Sequence, residues 1–285
     1  MSSVVDQMLQ KYTVNTQEDA AQALREVMQE IALAGLHRGG FFDKAAFYGG
    51  TCLRIFHGLP RFSEDIDFSL LHPQPDFSFT PYFRILKQEF AALGLEIELN
   101  EKEKTAKTGI VSAFLKNNSK VYDLKVTGKR TIKIKFEVDT DPPLRFSTHE
   151  NLLIQPYSFY VKCFSLPDLF AGKMHALLYR QWQNRVKGRD WFDFEWYVRK
   201  GTPLNLQHFL ERARQSGDIE ADTLEPAQFL DLLHDRIQRL DVDSAREDIV
   251  RFIREPDQLK IWSRDYFLQL SAMVRFQLSS IGCNR

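Results

Sequence analysis

Two short stretches carry residue types suited to phosphate and metal chemistry. Tyr48-Gly49-Gly50-Thr51-Cys52-Leu53-Arg54 is followed closely by Arg61-Phe62-Ser63-Glu64-Asp65-Ile66-Asp67-Phe68. Asp65 and Asp67 are two apart in an alternating run, so on a strand both carboxylates leave one face, within reach of one cation. A hard divalent ion such as Mg²⁺ suits that oxygen company and keeps waters and phosphate oxygens as its other ligands. Mn²⁺ accepts the same set. The paired glycines permit close backbone approach to a ligand. If Thr51 opens a helix, the free N–H groups there point at an anion such as a triphosphate. A third carboxylate is expected on a neighbouring strand. Glu137, between Phe136 and Val138, faces away from the core side of its own strand, and Asp139 on the same face is the substitute. Carboxylates bridging two metal ions would activate an attacking hydroxyl and stabilise the leaving pyrophosphate.

The elements that must position these groups are partly legible. Thr16 with Asp19 resembles a capping signal, and Ala20, Leu24, Val27, Met28 and Ile31 recur at helical spacing up to Gly35. The apolar run 45–48 stops at Gly49-Gly50, and 51–57 reads as a short helix. Residues 66–70 alternate as a half-buried strand, and another helix is expected over 80–93. From 95 to 155 the pattern is β-like, with runs at 110–115, 131–139 and 152–155. After Phe164 helices are expected over 166–181, 190–199, 227–240, 244–253 (with a Ser244/Glu247 capping box) and 263–278. An α/β first half and a helical second half predict two domains meeting near residue 160.

Composition sets outer limits. The chain has 285 residues, 44% of them hydrophobic, with Lys+Arg and Asp+Glu equal at 38 each. Such a chain can bury a real core, and its formal neutrality argues against indiscriminate coating of nucleic acid. No apolar run approaches the ~20 residues of a membrane-spanning helix, and the N-terminus lacks a secretory pattern, so no membrane association is expected. Cys52, Cys163 and Cys283 are widely spaced and odd in number, the usage of idle thiols in a reducing cytoplasm. The seven histidines show no metal-ligand spacing.

Gly49-Gly50, the acid pair Asp65 and Asp67, and Glu137 resemble the active-site pattern of the polymerase-β-like nucleotidyltransferase superfamily. The fuller Gly-Gly-Thr-x-Leu-Arg and Arg-x-Ser-x-Asp-Ile-Asp-Phe resemble the AbiEii/AbiGii branch, the nucleotidyltransferase toxins of bacterial type IV toxin–antitoxin systems. Lys173-Met174-His175-Ala176-Leu177-Leu178-Tyr179-Arg180 and Arg189-Asp190-Trp191-Phe192-Asp193 resemble that branch's Lys-x-x-Ala-Leu-x-x-Arg and Arg-Asp-x-x-Asp signatures. The resemblance runs from about Phe47 to Trp196. It implies an α+β fold: a nucleotidyltransferase domain of mixed sheet and helices over 1–160, then a helical domain over 161–285. The second would contribute Lys173 and the Arg189/Asp190/Asp193 motif to a cleft between the two.

The resemblance also implies roles. Asp65, Asp67 and Glu137 would hold metal, and Lys173 would act beside them. Gly49, Gly50, Thr51, Arg61, Ser63, Arg180, Asp190 and Asp193 would serve the nucleotide. Lys173 and Arg180, seven apart, would share one helix face about 10 Å apart and neutralise phosphate charge. Arg189, Asp190 and Asp193 would share one side of theirs. An acid there could orient Lys173, or Arg189 and Asp193 could form a mere surface ion pair. Arg54 and Arg61 either contact phosphate or brace the loop before the acids. Ser63 either hydrogen-bonds phosphate or is a modification point, where a phosphate group would repel nucleotide.

The implied reaction moves a nucleoside monophosphate from an NTP to RNA, with the tRNA 3′ acceptor end the expected substrate, so that translation stops. Lys125, Lys129, Arg130, Lys133 and Lys135 form either an RNA-binding surface or a solvated strand edge. Trp182, Trp191 and Trp196 either stack on an unpaired RNA end or belong to the core. A protein hydroxyl or a small molecule is the alternative acceptor, and a non-catalytic nucleotide- or RNA-binding regulator the alternative class. A type IV antitoxin acts on the toxin's target or expression, so no stable complex with it is expected.

Overall fold

Alternation in sequence becomes alternation in burial. Along Ile132–Asp139 the residues Ile132, Ile134, Phe136 and Val138 are buried, while Lys133, Lys135, Glu137 and Asp139 are exposed or half-buried. The computed structural model describes residues 3–102, 119–127, 132–180 and 186–277, with the backbone alone for 100–102 and 119–127. The strand expected over 110–115, together with Lys129, Arg130, Trp182 and Cys283, lies outside the described residues.

The chain divides into two compact units, Met1–Pro142 with Thr148–Phe164, and Pro143–Ser147 with Ser165–Arg285. The first contains helices α1 (Val4–Leu9), α2 (Gln17–Arg38), α3 (Gly49–His57) and α4 (Phe83–Ala92). Its strands are β1 (Ala45–Tyr48), β2 (Ile66–Leu70), β3 (Glu96–Lys102), β4 (Ser119–Thr127), β5 (Ile132–Asp139), β6 (Thr148–Leu153) and β7 (Phe159–Phe164). They form one mixed sheet in the order β3-β4-β5-β2-β1-β7-β6. The pairs β2/β5 and β1/β7 are parallel and the others antiparallel. Residue 160 falls inside β7, which is held to the first unit by its pairing with β1 and β6.

Helix α2 begins where its capping box requires, with Thr16 accepting from the Asp19 N–H and Asp19 accepting in return. It is buried without a break from Glu26 to Leu36, so it is a central helix rather than a half-wet one. Below it Phe41 meets Phe68, Phe79 and Tyr82 edge-on at ring distances of 4.7, 5.4 and 5.1 Å. Each such fully buried aromatic contributes roughly 1.5–3 kcal/mol through removal of apolar area from water. Polar residues buried on α2 tie it to distant segments. Glu26 accepts from Tyr12 Oη at 2.8 Å and Arg54 Nε at 2.8 Å, and Gln29 Nε2 donates to the carbonyls of Ser63 and Glu64 at 3.2 and 3.1 Å. Cys52 and Cys163 are buried free thiols, and burial raises Cys52 well above the ordinary thiol range.

The second unit contains α5 (Leu166–Tyr179), α6 (Gly188–Lys200), α7 (Leu206–Gln215), α8 (Pro226–Gln238), α9 (Val242–Ile249) and α10 (Arg264–Ser271). A two-residue parallel bridge, β8 (Pro203–Leu204) with β9 (Arg275–Phe276), departs from the expected all-helical character. Asp168, 1% exposed, gathers donors from distant parts of this unit. Its carboxylate accepts from Ser147 N–H at 2.8 Å, Ser165 Oγ at 2.5 Å and Asn205 Nδ2 at 2.6 Å. This explains why Pro143–Ser147 belongs here. Helix α9 starts one turn earlier than expected, capped by Asp241 rather than Ser244, because the Asp241 carboxylate accepts from the Ser244 N–H. Among the described residues no helix is long and apolar enough to cross a membrane.

Two histidines make this unit acid-sensitive. Burial, assisted by nearby Arg212, pulls His175 and His208 from 6.5 down to about 4, against the opposing pull of Asp218 on the first and Asp168 on the second. Both are therefore neutral in the fold at pH 5, whereas in the unfolded chain they are protonated. The unfolded state then binds more protons, so stability falls as pH drops from 6.5 towards 4. We expect a loss of roughly 2 kcal/mol per histidine at pH 5 relative to pH 7. Denaturant melts at the two pH values check this. A gap unchanged by His208→Gln removes that residue from the account.

Candidate active site

Register brings two of the acids together. Strands β2 and β5 pair in parallel with Ile66 opposite Phe136, Asp67 opposite Glu137 and Phe68 opposite Val138. The apolar partners are buried on one face, and Asp67 and Glu137 emerge half-buried on the other. Asp139 faces Ser69, one pleat further along. Glu137 is thus the carboxylate level with Asp67.

Asp65 stands immediately before β2, and a different device fixes it. Thr51, fully buried, donates its hydroxyl to the Asp65 carbonyl, and Gln29 holds the two preceding carbonyls. Ser63, like Asp65, lies before the strand, which begins at Ile66. Its Oγ stands 3.0 Å from where a Cβ on Gly50 would be. Asp65 and Asp67 are both within electrostatic reach of Lys135.

Helix α3 opens at Gly49, two residues earlier than expected, with Tyr48 at its N-cap opposite Asp67 in the β1/β2 register. Gly49 takes φ +79°, and a Cβ there would stand 2.4 Å from Asp67 Oδ2. Only a residue without a side chain lets that carboxylate lie against the helix start, where the helix dipole favours negative charge. Gly50 has the same property toward Arg61, whose Nη2 would meet an added Cβ at 2.7 Å. Arg61 is 2% exposed, and its Nη1 donates to the Phe62 carbonyl at 3.0 Å. Arg54 pairs with Glu26 at 2.8 Å, donates to the Leu59 carbonyl and lies over the Phe62 ring. Of the two roles open to Arg54, bracing is the one these contacts describe.

Lys135 is the residue whose place in the site was missed. Sequence alone assigns it to an RNA-binding surface or a solvated strand edge, yet its Nζ bonds Glu137 Oε1. Burial opposes its charge, but Glu137, Asp65 and Asp67 outweigh that and hold its pKa above the ordinary lysine value. The signal was available, since i−2 on a strand is the same face. Lys133, by contrast, is exposed.

Asp65, Asp67 and Glu137 are oxygen donors of the kind a hard divalent cation takes, and Asp67 and Glu137 share one face. Among the described residues, no three His, Cys, Asp or Glu side chains stand ready to grip one as they are. The Lys135 ammonium already sits on Glu137.

In the second unit Lys173 meets both signature acids. Its Nζ is 2.8 Å from Asp190 Oδ1 and 2.9 Å from Asp193 Oδ2, and Asp193 is fully buried. Of the two readings of this motif, acids that orient Lys173 is the one these contacts describe, and the Arg189 guanidinium lies over the Phe252 ring at 4.3 Å. Arg180 closes the same helix as Lys173, its N–H still bonded to the Ala176 carbonyl. Helix α5 ends at Tyr179, and Arg180 is its C-cap in an extended conformation. Trp191 is buried core, packed on Phe267 at 4.9 Å, and Trp196 lies beneath Lys200.

A family model, the nucleotidyl transferase AbiEii toxin of type IV toxin–antitoxin systems, matches residues 31–278. Two solved structures from Helicobacter pylori share the fold. One, described as a nucleotidyltransferase, aligns with TM-score 0.50 and 18% identity over 91% of this chain and 94% of that one. The other, JHP933, gives TM-score 0.50 and 17% identity over 92% and 91%. MenT4, a nucleotidyltransferase toxin from Mycobacterium tuberculosis, aligns at TM-score 0.44 and 17% identity over 95% and 98%. No curated protein sequence gives a match.

Proposed function

We propose that this chain, which belongs to the AbiEii nucleotidyltransferase toxin family of type IV toxin–antitoxin systems, transfers a nucleoside monophosphate from an NTP to the 3′ acceptor end of tRNA and releases pyrophosphate. That it is a nucleotidyltransferase follows from the family; the acceptor and the metal dependence are our inference. The observation that carries it is the register of Asp67 with Glu137 beside the glycine-opened start of α3.

Asp65, Asp67 and Glu137 would hold Mg²⁺, with Mn²⁺ able to substitute. When bound, the metal supplies charge neutralisation at the phosphates and lowers the pKa of an attacking hydroxyl. The chain's own groups do the rest. The first-turn N–H groups of α3 suit phosphate oxygens. Gly49 keeps the Asp67 carboxylate at the helix start, while Thr51, Gln29 and Arg61 hold the acid loop rigid around Gly50 and Ser63. Lys173 is a further requirement of the reaction, a fixed positive charge that Asp190 and Asp193 orient, with Arg180 at the end of the same helix. An in-line attack by a terminal ribose hydroxyl needs positioning and charge stabilisation, both of which such a set can provide. Transfer to tRNA would block aminoacylation, and the antitoxin would counter it without a stable complex. The reaction belongs in the cytoplasm, where NTPs and tRNA are found.

The test is a labelling experiment. The protein is incubated with each α-labelled NTP, Mg²⁺ and either total RNA or total protein. We expect label in the tRNA fraction with one preferred NTP, lost in Asp65→Ala and Lys173→Ala. Label on protein alone rejects the RNA acceptor. Nucleotide binding with no label anywhere rejects catalysis.

A further inference from the structure

Lys135 sits where a cation is wanted. Its Nζ bonds Glu137 Oε1, and Asp65 and Asp67 both act on its charge. Three carboxylates within reach of one ammonium repel one another, and that ammonium offsets part of the repulsion. The same ammonium occupies an oxygen that a divalent ion needs, and no three-acid cluster is preformed among the described residues. The Lys135 side chain is 40% exposed, and Glu137 21%. Its flexible stem therefore has solvent into which the charged end can swing.

We propose that Lys135 is the resident counter-ion of this acid face, and that a divalent cation loads by displacing its ammonium from Glu137. This rests on the acids being the metal site proposed above. Lys135 thereby sets how tightly the free protein binds metal. It stabilises the acid face when metal is absent and competes when metal arrives. Lys135→Met removes the competing charge and keeps the apolar stem.

The probe is Mn²⁺ alone, without nucleotide, titrated into the full-length protein at fixed pH and ionic strength. Free Mn²⁺ is read by electron paramagnetic resonance and folding by circular dichroism. Lys135→Met should bind Mn²⁺ at least about tenfold more tightly than the wild type, since one unit of competing charge has been removed. Its melting temperature should be lower without metal and recover as Mn²⁺ is added. Lys135→Arg, which keeps the charge, should stay near the wild type, and Lys135→Gln serves if the methionine variant does not fold. Unchanged or weaker Mn²⁺ binding in Lys135→Met, with Asp67→Asn abolishing it, overturns the counter-ion role and leaves the metal site standing. Mn²⁺ binding unaffected by Asp67→Asn overturns the metal site and this inference together.

Discussion

Asp67→Asn should lose on the order of 10³-fold in nucleotide transfer, about 4 kcal/mol of transition-state stabilisation, and keep its fold. The substitution preserves shape and removes one negative charge from the position level with Glu137. An amide oxygen is a weaker ligand for a hard cation than a carboxylate, and its NH₂ end offers a donor where an acceptor is required. Stability should move the other way, if at all. Asp67 is half-buried and stands in a cluster with Asp65 and Glu137 that Lys135 only partly offsets. Removing one of several like charges relieves repulsion. The expected pairing is thus a collapse of kcat beside a melting temperature equal to or above that of the wild type. A variant that loses activity and stability in step would mean that Asp67 is a packing residue. One that keeps activity would remove the acid face from the chemistry altogether.

Much of this site was legible because strand periodicity is local. The alternation over 131–139 and 66–70 put Glu137 and Asp67 on wet faces, and burial follows that pattern throughout β5 but in β2 only as far as Phe68, Ser69 being buried. What local pattern does not contain is which strands meet. The parallel pairing of β2 with β5 joins segments far apart in sequence, and only the resemblance of motifs supplied it. Strand β7 was overlooked for the same reason, since its burial is set by parallel pairing with distant β1. Helix α7, by contrast, carried its own signals in Asn205 as N-cap and in Phe209, Leu210 and Ala213 on one stripe.

Helix ends were the other weak point. Arg180 continues an acceptable helical pattern, yet α5 stops at Tyr179, and Arg180 serves as its C-cap, where the backbone turns extended. Lys173 shows the opposite case. Its neighbours Asp190 and Asp193 lie on a different helix, and their common i, i+3 spacing did place both acids on one side of α6. Gln29 could not have been found in sequence, because a glutamine in a helix says nothing about which carbonyls it will hold.

Gly49→Ala should cost both stability and catalysis, and Gly58→Ala separates the two. Both glycines adopt a left-handed backbone, φ +79° and +76°, flanking the same helix α3 at its start and its end. An L-residue there costs roughly 1–2 kcal/mol whatever the space around it. At Gly58 nothing lies within 4 Å of an added Cβ, so strain is the whole effect. At Gly49 the new methyl would stand 2.4 Å from Asp67 Oδ2, and the carboxylate must move. A displacement of about 1 Å at a reacting centre can cost on the order of 10²-fold in rate. We therefore expect the two variants to melt within about 1 kcal/mol of each other, the strain being common to both. Their kcat values should differ about a hundredfold, with Gly58→Ala near the wild type. Equal activities would mean that the closeness of Gly49 to Asp67 has no catalytic consequence, and that this glycine serves the turn alone.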